Sequence, residues 1–259
     1  MNSSAASVYF VLGTPGSGRR AILHDLIENG LKPEDRVLVL LASSEAVDPA
    51  DEKLATRANT EVRRWTATGA ELLTDEQLPV DGHVFLVADS HADIVTQIES
   101  LKPWLVRHDA ELARVITVVN CQFVEKNPPA LAWFDACIHF SDVVFLTKRE
   151  GVENKWLSSF IRRYEDQFYP CHFIQLKKGG IANPALVLEP QPRRVSQYFE
   201  DEEPLPADLV IETDDEEDED EPDEDATPLE PYFERNRNGR RVKELPDIRK
   251  LYETQAPAG

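Results

Sequence analysis

Six short, largely apolar runs, continuous rather than alternating, constrain this chain more than any other feature. They are Val8–Leu12, Arg36–Ala42, Val84–Ala88, Val115–Val119, Val143–Leu146 and His172–Leu176. An alternating strand keeps one face in water, whereas a continuous one must be covered on both, as the strands of a parallel sheet are. Stretches with helical spacing lie between them: Ala21–Asn29, stopped by Asn29-Gly30, Ile94–Val106, interrupted by Pro103, Pro129–His139 and Glu153–Phe168. Charged Asp51–Trp65 is also expected to be a helix, lying exposed. Strand–helix alternation with short connections predicts a doubly wound α/β domain with a mostly parallel sheet over residues 1–195. No internal repeat is visible.

Past Arg194 the composition changes. Between Glu200 and Asp225, 17 of 26 residues are acidic and none is Lys or Arg; the whole chain carries −20, so the balance elsewhere is −3. A run so charged, punctuated by Pro204, Pro206, Pro222, Pro228 and Pro231, cannot bury enough apolar surface to offset its ordering entropy. Residues 196–231 are therefore expected to form a disordered acidic linker. Residues 232–259 follow as a short basic-amphipathic element, with Arg235, Arg237, Arg240, Arg241 and Lys243 ahead of Leu245, Ile248 and Leu251. It could fold back on the acidic run or the domain, or dock on a partner.

The near-neutral remainder offers no clustered excess of Lys and Arg, which argues against nucleic acid as a partner. Three cysteines, Cys121, Cys137 and Cys171, form no CxxC, and the N-terminus has no positively charged leader. The longest purely apolar run, Val37–Ala42, is six residues, against the roughly 20 of a membrane helix. A cytoplasmic protein without a membrane span is expected.

Gly13-Thr14-Pro15-Gly16-Ser17-Gly18-Arg19-Arg20 carries the most chemical information. It joins a strand to a helix with the G-x-x-x-x-G spacing of a phosphate-binding P-loop. Glycines there let backbone N–H groups turn in around a phosphate, and the helix N-terminus adds partial positive charge. The two positions that follow normally hold a Lys for the phosphates and a Ser/Thr for Mg²⁺. Here they are Arg19 and Arg20. A guanidinium is not interchangeable with an ammonium, and Arg20 cannot ligate a cation. Asp89, closing the third apolar run, is the candidate Mg²⁺ carboxylate, with Asp93 second; a helix-capping Asp is the alternative. The fifth run ends Thr147-Lys148-Arg149-Glu150, close to the [NT]-K-x-D loop that reads guanine, with Glu150 in place of Asp. Cys137, His139, Cys171 and His172 could meet as a Zn²⁺ site only if adjacent strands brought them together. No transition-metal site is expected.

In order, these segments resemble the CobW-type family of P-loop GTPases, relatives of the UreG and HypB metallochaperones, over residues 8–190. Val87–Val119 is similar to the family's E-T-[ST]-G-x-A-D-P segment, which leads to V-V-D-A. His139–Lys148 is similar to its A-D-x-x-x-x-N-K stretch, and Gly180–Leu186 to the segment closing its GTPase domain. The departures fall on chemistry: Arg19 and Arg20 for Lys and Thr, Asn120 for the Asp of V-V-D-A, and no Cys in Arg63–Gly69, where C-x-C-C would stand. The family's C-terminal domain also has no counterpart. The resemblance implies a nucleotide, GTP, held by Gly13, Pro15, Gly16, Ser17, Gly18, Arg19, Arg20, Thr147, Lys148 and Glu150. Hydrolysis is expected to be slow or absent and Mg²⁺ poorly held. The alternative is a pseudo-GTPase scaffold that contacts a protein partner through the acidic tail. That tail could equally solubilise the chain or mimic phosphate beside Arg19 and Arg20.

Overall fold

A computed structural model of the chain describes residues 5–66, 72, 77–177, 180–200 and 230–253. Seven parallel strands form one sheet: β1 (Ala6–Gly13), β2 (Val37–Ala42), β3 (Thr60–Trp65), β4 (His83–Val87), β5 (Ala110–Asn120), β6 (Val143–Thr147) and β7 (His172–Gln175). Their order is β3-β2-β4-β1-β5-β6-β7. β1 thus lies between β4 and β5, and the chain leaves it on one side and later crosses to the other. Such a reversal opens a crevice at the carboxyl ends of the strands. The α/β, P-loop-like architecture expected from the continuous apolar runs is present, and Val8–Leu12, Val37–Ala42 and Val143–Leu146 are buried throughout.

Helices cover both faces. Tyr9, Val11, Ile116, Val118, Val143 and Phe145 pack with Ile22, Leu23, Leu26 and Ile27 of α1 (Arg19–Gly30) and with Val187 and Leu188 of α7 (Pro184–Leu188). On the other face lie α3 (Ile94–Arg107), α5 (Ala130–His139) and α6 (Asn154–Glu165). Tyr164 of α6 stacks on Phe173 of β7 and donates to Asp135 of α5 at 2.8 Å.

Two stretches differ from the sequence expectation. Asp51–Trp65 is not one helix. It divides into α2 (Pro49–Ala55), capped by Asp48, and the edge strand β3. An edge strand carries charge along its open side, so the Glu61 and Arg63 that suggest an exposed helix are equally at home there. Pro103 does not interrupt α3, which runs through it and buries Leu101, Trp104 and Leu105 on either side. No helix among the described residues is long and apolar enough to cross a membrane.

The chain divides into residues 1–195 with 245–259, and residues 196–244. Within the second unit, Arg235 and Arg241 pair across a turn closed by Gly239, and Tyr198 meets Phe233 edge-on at 4.7 Å. The acidic run beyond Glu200 lies outside the described residues, as does any disorder or phosphate mimicry in it. In the first unit, the last described helix is α8 (Ile248–Glu253).

Gly13 ends β1 at φ +141°, and a Cβ there would stand 2.7 Å from the Val118 carbonyl oxygen of the neighbouring strand. Gly13→Ala is expected to cost about 2–5 kcal/mol, the sum of a strained backbone and an overfilled contact. Urea denaturation reads it as a fall in midpoint at unchanged slope.

Candidate functional site

The loop from Gly13 to Gly18 stands where the crevice opens. Gly16 and Gly18 take φ +67° and +96°, and Gly18 enters α1 from the left-handed region without a side-chain cap. The first N–H groups of the helix thus stay available at its positive end, the condition for an anion cradle. Ser17 Oγ is buried without a partner. The Thr147 hydroxyl donates at 2.7 Å to the Ser17 carbonyl and lies 2.9 Å from that of Val119, tying the end of β6 to the loop. The backbone fits a phosphate.

The side chains are committed elsewhere. Arg19 is buried, pairs with Glu45 through Nη2 and donates from Nη1 to the Ala88 carbonyl at 2.8 Å. Glu45 is itself buried and accepts from Ser90 Oγ at 3.1 Å. Burial pulls the Arg19 guanidinium below its ordinary pKa, and the Glu45 carboxylate opposes that shift. Arg20 pairs with Asp51 and lies 3.4 Å from Glu45 Oε2. Asp51 also takes Arg64, whose other nitrogen donates to the Glu45 carbonyl at 2.9 Å. Three guanidiniums and two carboxylates thus form one network behind the loop.

The mouth of the loop is covered by α8. Tyr252 places its hydroxyl 2.7 Å from Thr14 Oγ1 and donates to the Pro15 carbonyl at 2.8 Å. Its ring stacks on Phe123 with centroids 4.2 Å apart. Burial raises the phenol pKa, so it stays protonated and able to donate. Asn120 Oδ1 meanwhile caps α4 (Cys121–Lys126), accepting from Phe123 N–H at 3.1 Å. The cavity left among Pro15, Ser90, His91 and α8 is about 70 Å³. Small-molecule sites begin near roughly 300 Å³.

Of the other candidates, Lys148 and Glu150 stand exposed on the turn after β6, Lys148 at φ +48°. The turn is held by its backbone, Gln122 N–H donating to the Lys148 carbonyl at 3.2 Å. Asp89 accepts from Ser44 Oγ at 2.6 Å and from His91 N–H at 2.8 Å. Asp93, not Asp89, caps α3, accepting from Thr96 N–H at 2.6 Å. With Arg20 at the cation-ligand position and Asp89 engaged, this donor set does not fit Mg²⁺. No group of three or more His, Cys, Asp or Glu able to hold a metal occurs among the described residues. The cysteines are buried and free, and burial lifts the thiols of Cys121 and Cys171 to about 12.

Glu45, Asp51 and Tyr252 are the site residues that sequence reading did not single out. Glu45 follows the apolar run Val37–Ala42 much as Asp89 follows Val84–Ala88, and that pattern was the available signal. Tyr252 lies one helical turn beyond Ile248 in the amphipathic element.

No family model matches the sequence, and no curated protein matches it. Among solved structures, the Zn(II)-bound YjiA GTPase from E. coli is similar, at 14% identity over 74% of this chain and 67% of that one, with a TM-score of 0.44. A Zn(II)-bound triple mutant of YjiA is similar at 13% identity, covering 74% of this chain and 67% of that one, at a TM-score of 0.43. The hydrogenase maturation factor HypB from Archaeoglobus fulgidus gives 13% identity over 67% of this chain and 81% of that one, at 0.42. Likeness of this order concerns the layout of strands and helices, and the P-loop-like character of this chain rests on its own sheet order and its Gly13–Gly18 turn.

Removing one partner of a buried ion pair strands the other. Glu45→Ala is expected to destabilise the protein by about 3–5 kcal/mol. The exposed Glu61→Ala is expected to fall within the small range of surface pairs, and parallel thermal melts compare the two.

Proposed function

We propose that this chain is a non-hydrolysing P-loop protein, a pseudo-GTPase, whose phosphate loop is closed by its own C-terminal helix and whose work is contact with other proteins. The observation that carries the reading is Tyr252, bonded to Thr14 and Pro15 across the loop mouth. Arg19 and Arg20 support it, because cations already paired with Glu45 and Asp51 have little left for a triphosphate. GTP binds weakly to the backbone cradle, without Mg²⁺, and only when Tyr252 gives way. Thr147 holds the loop from behind, while Lys148 and Glu150 contribute a guanine contact to whatever affinity remains. The acidic run Glu200–Asp225 is the arm that steers a basic partner surface toward the domain. Free, buried thiols suit a reducing compartment, and a cytoplasmic location belongs to the same proposal.

Calorimetric titration with GTP, with and without Mg²⁺, tests this. The wild-type chain is expected to give weak or no binding, indifferent to Mg²⁺, and no steady release of phosphate. Tyr252→Ala removes a hydroxyl contact and a ring contact, and is expected to tighten GTP by roughly tenfold, about 1.4 kcal/mol. Tight, Mg²⁺-dependent binding with turnover by the wild type would overturn the proposal.

A further inference from the structure

Four nitrogen atoms near the amino-terminal edge of the sheet share a condition that a folded chain normally avoids. Arg114 is fully buried; its Nη2 donates to the Leu186 carbonyl of α7 at 3.3 Å, while Nε and Nη1 meet no acceptor. His172 Nε2 and Arg193 Nε are buried without partners too. These make four of the six such side-chain atoms among the described residues.

Asp142 draws the three residues together. Its backbone carbonyl accepts from His172 N–H at 2.9 Å, and its Oδ1 from Arg193 N–H at 2.6 Å. Its Oδ2 accepts from the N–H of Val115, next to Arg114, at 2.7 Å, and from Arg194 Nη1 at 2.9 Å. Alternation along β5 sets Arg114 on the same face as Ile116 and Val118. Along β7 it sets His172 with Ile174 and Leu176 on that face, which α1 and α7 cover.

The charges do not balance. Three guanidiniums, from Arg114, Arg193 and Arg194, act on one another beside two carboxylates, Glu189 and the buried Asp142, whose oxygens are already taken. Burial pulls the Arg114 guanidinium below its ordinary pKa, opposed by Asp142 and Glu189 and reinforced by Arg193 and Arg194. Burial likewise lowers the His172 ring, with Arg193 and Arg114 adding to the effect. Donors held out of water without a hydrogen-bond acceptor are costly for a fold to carry. A bound anion removes that cost.

We infer that this patch is a second anion site, distinct from the P-loop, that takes a small oxyanion of the phosphate class. Arg114 donates through the N–H groups that its Leu186 contact leaves over, Arg193 through Nε, and the His172 ring closes the set. Arginine suits this task because it stays charged when buried and offers several fixed donors. Entry is by residues 190–194, which form neither helix nor strand and hold exposed Pro190, Gln191 and Pro192. The P-loop stands at the carboxyl ends of the strands and this patch toward their amino ends, so each can be filled without the other.

Inorganic phosphate is the probe, with the full chain followed by calorimetry and thermal unfolding. Phosphate is expected to bind saturably and raise Tm. Arg193→Gln, on the irregular segment, is expected to weaken it tenfold or more, and Lys155→Gln, at an exposed position of α6, to leave it unchanged. Arg114→Met exchanges two buried donors without acceptors for apolar volume; its Tm in phosphate-free buffer is expected to exceed that of the wild type, with no further rise on adding phosphate. Should Arg114→Met fail to fold, Arg193→Gln alone decides. A wild-type Tm indifferent to phosphate, or a phosphate response that survives Arg193→Gln, would overturn the inference.

Discussion

The buried pair between Arg19 and Glu45 is the interaction on which the rest of the site depends. It ties the first residue of α1 to the turn after β2, and through the Ala88 carbonyl to the end of β4. Both charges have left water, a step that their mutual attraction repays only while both are present. In a working P-loop the corresponding cation is kept for a phosphate that arrives from outside. Here the anion is built in, and the loop is complete without a ligand. The same substitution extends one residue on, where Arg20 meets Asp51 instead of a hydroxyl meeting a metal. Asp51 then recruits Arg64 from the edge strand, so α2 and β3 are positioned by the charges behind the loop as well as by apolar packing.

Tyr252 completes this closure from the other end of the chain. Its hydroxyl needs acceptors, and the loop offers Thr14 Oγ1 and the Pro15 carbonyl. Its ring needs apolar cover, which Phe123 supplies. Asn120 caps α4, the helix that carries Phe123. A tethered side chain competes with a free ligand at an effective concentration that the ligand must exceed. A modest contact can therefore keep the cradle shut.

The strands were legible because a parallel sheet buries both faces, and continuous runs such as Val37–Ala42 have no other economical use. β3 was not, because an edge strand keeps charged residues and loses the continuous signature: Glu61 and Arg63 alternate with half-buried neighbours. The phosphate loop was legible from its glycines, whose positive φ angles at Gly16 and Gly18 no other residue adopts as readily. The fate of its arginines was not. Arg19 and Arg20 read as free cations in a one-dimensional sequence, and only the fold brings Glu45, 26 residues on, and Asp51, 31 residues beyond Arg20, against them. Asp89 shows the same limit from the other side. An apolar run closed by an acid occurs after both β2 and β4, and the network chose the acid after β2. Tyr252, 238 residues from Thr14, left only the amphipathic spacing of its helix as a trace.

The two ends of the sheet treat buried guanidiniums in opposite ways, and the contrast is informative. At the carboxyl ends, Glu45 and Asp51 match Arg19, Arg20 and Arg64 closely enough that nearly every donor finds an acceptor. At the amino ends, Asp142 and Glu189 face Arg114, Arg193 and Arg194, and donors remain over. Both clusters belong to residues 1–195, whose acids have therefore been distributed unevenly. A scarcity of carboxylates cannot explain it, since the same chain places 17 acids in one run of 26. An interior that pairs its arginines behind the P-loop and leaves donors over at the opposite end is the arrangement that the two proposals, a loop closed by its own chain and a second anion site, require.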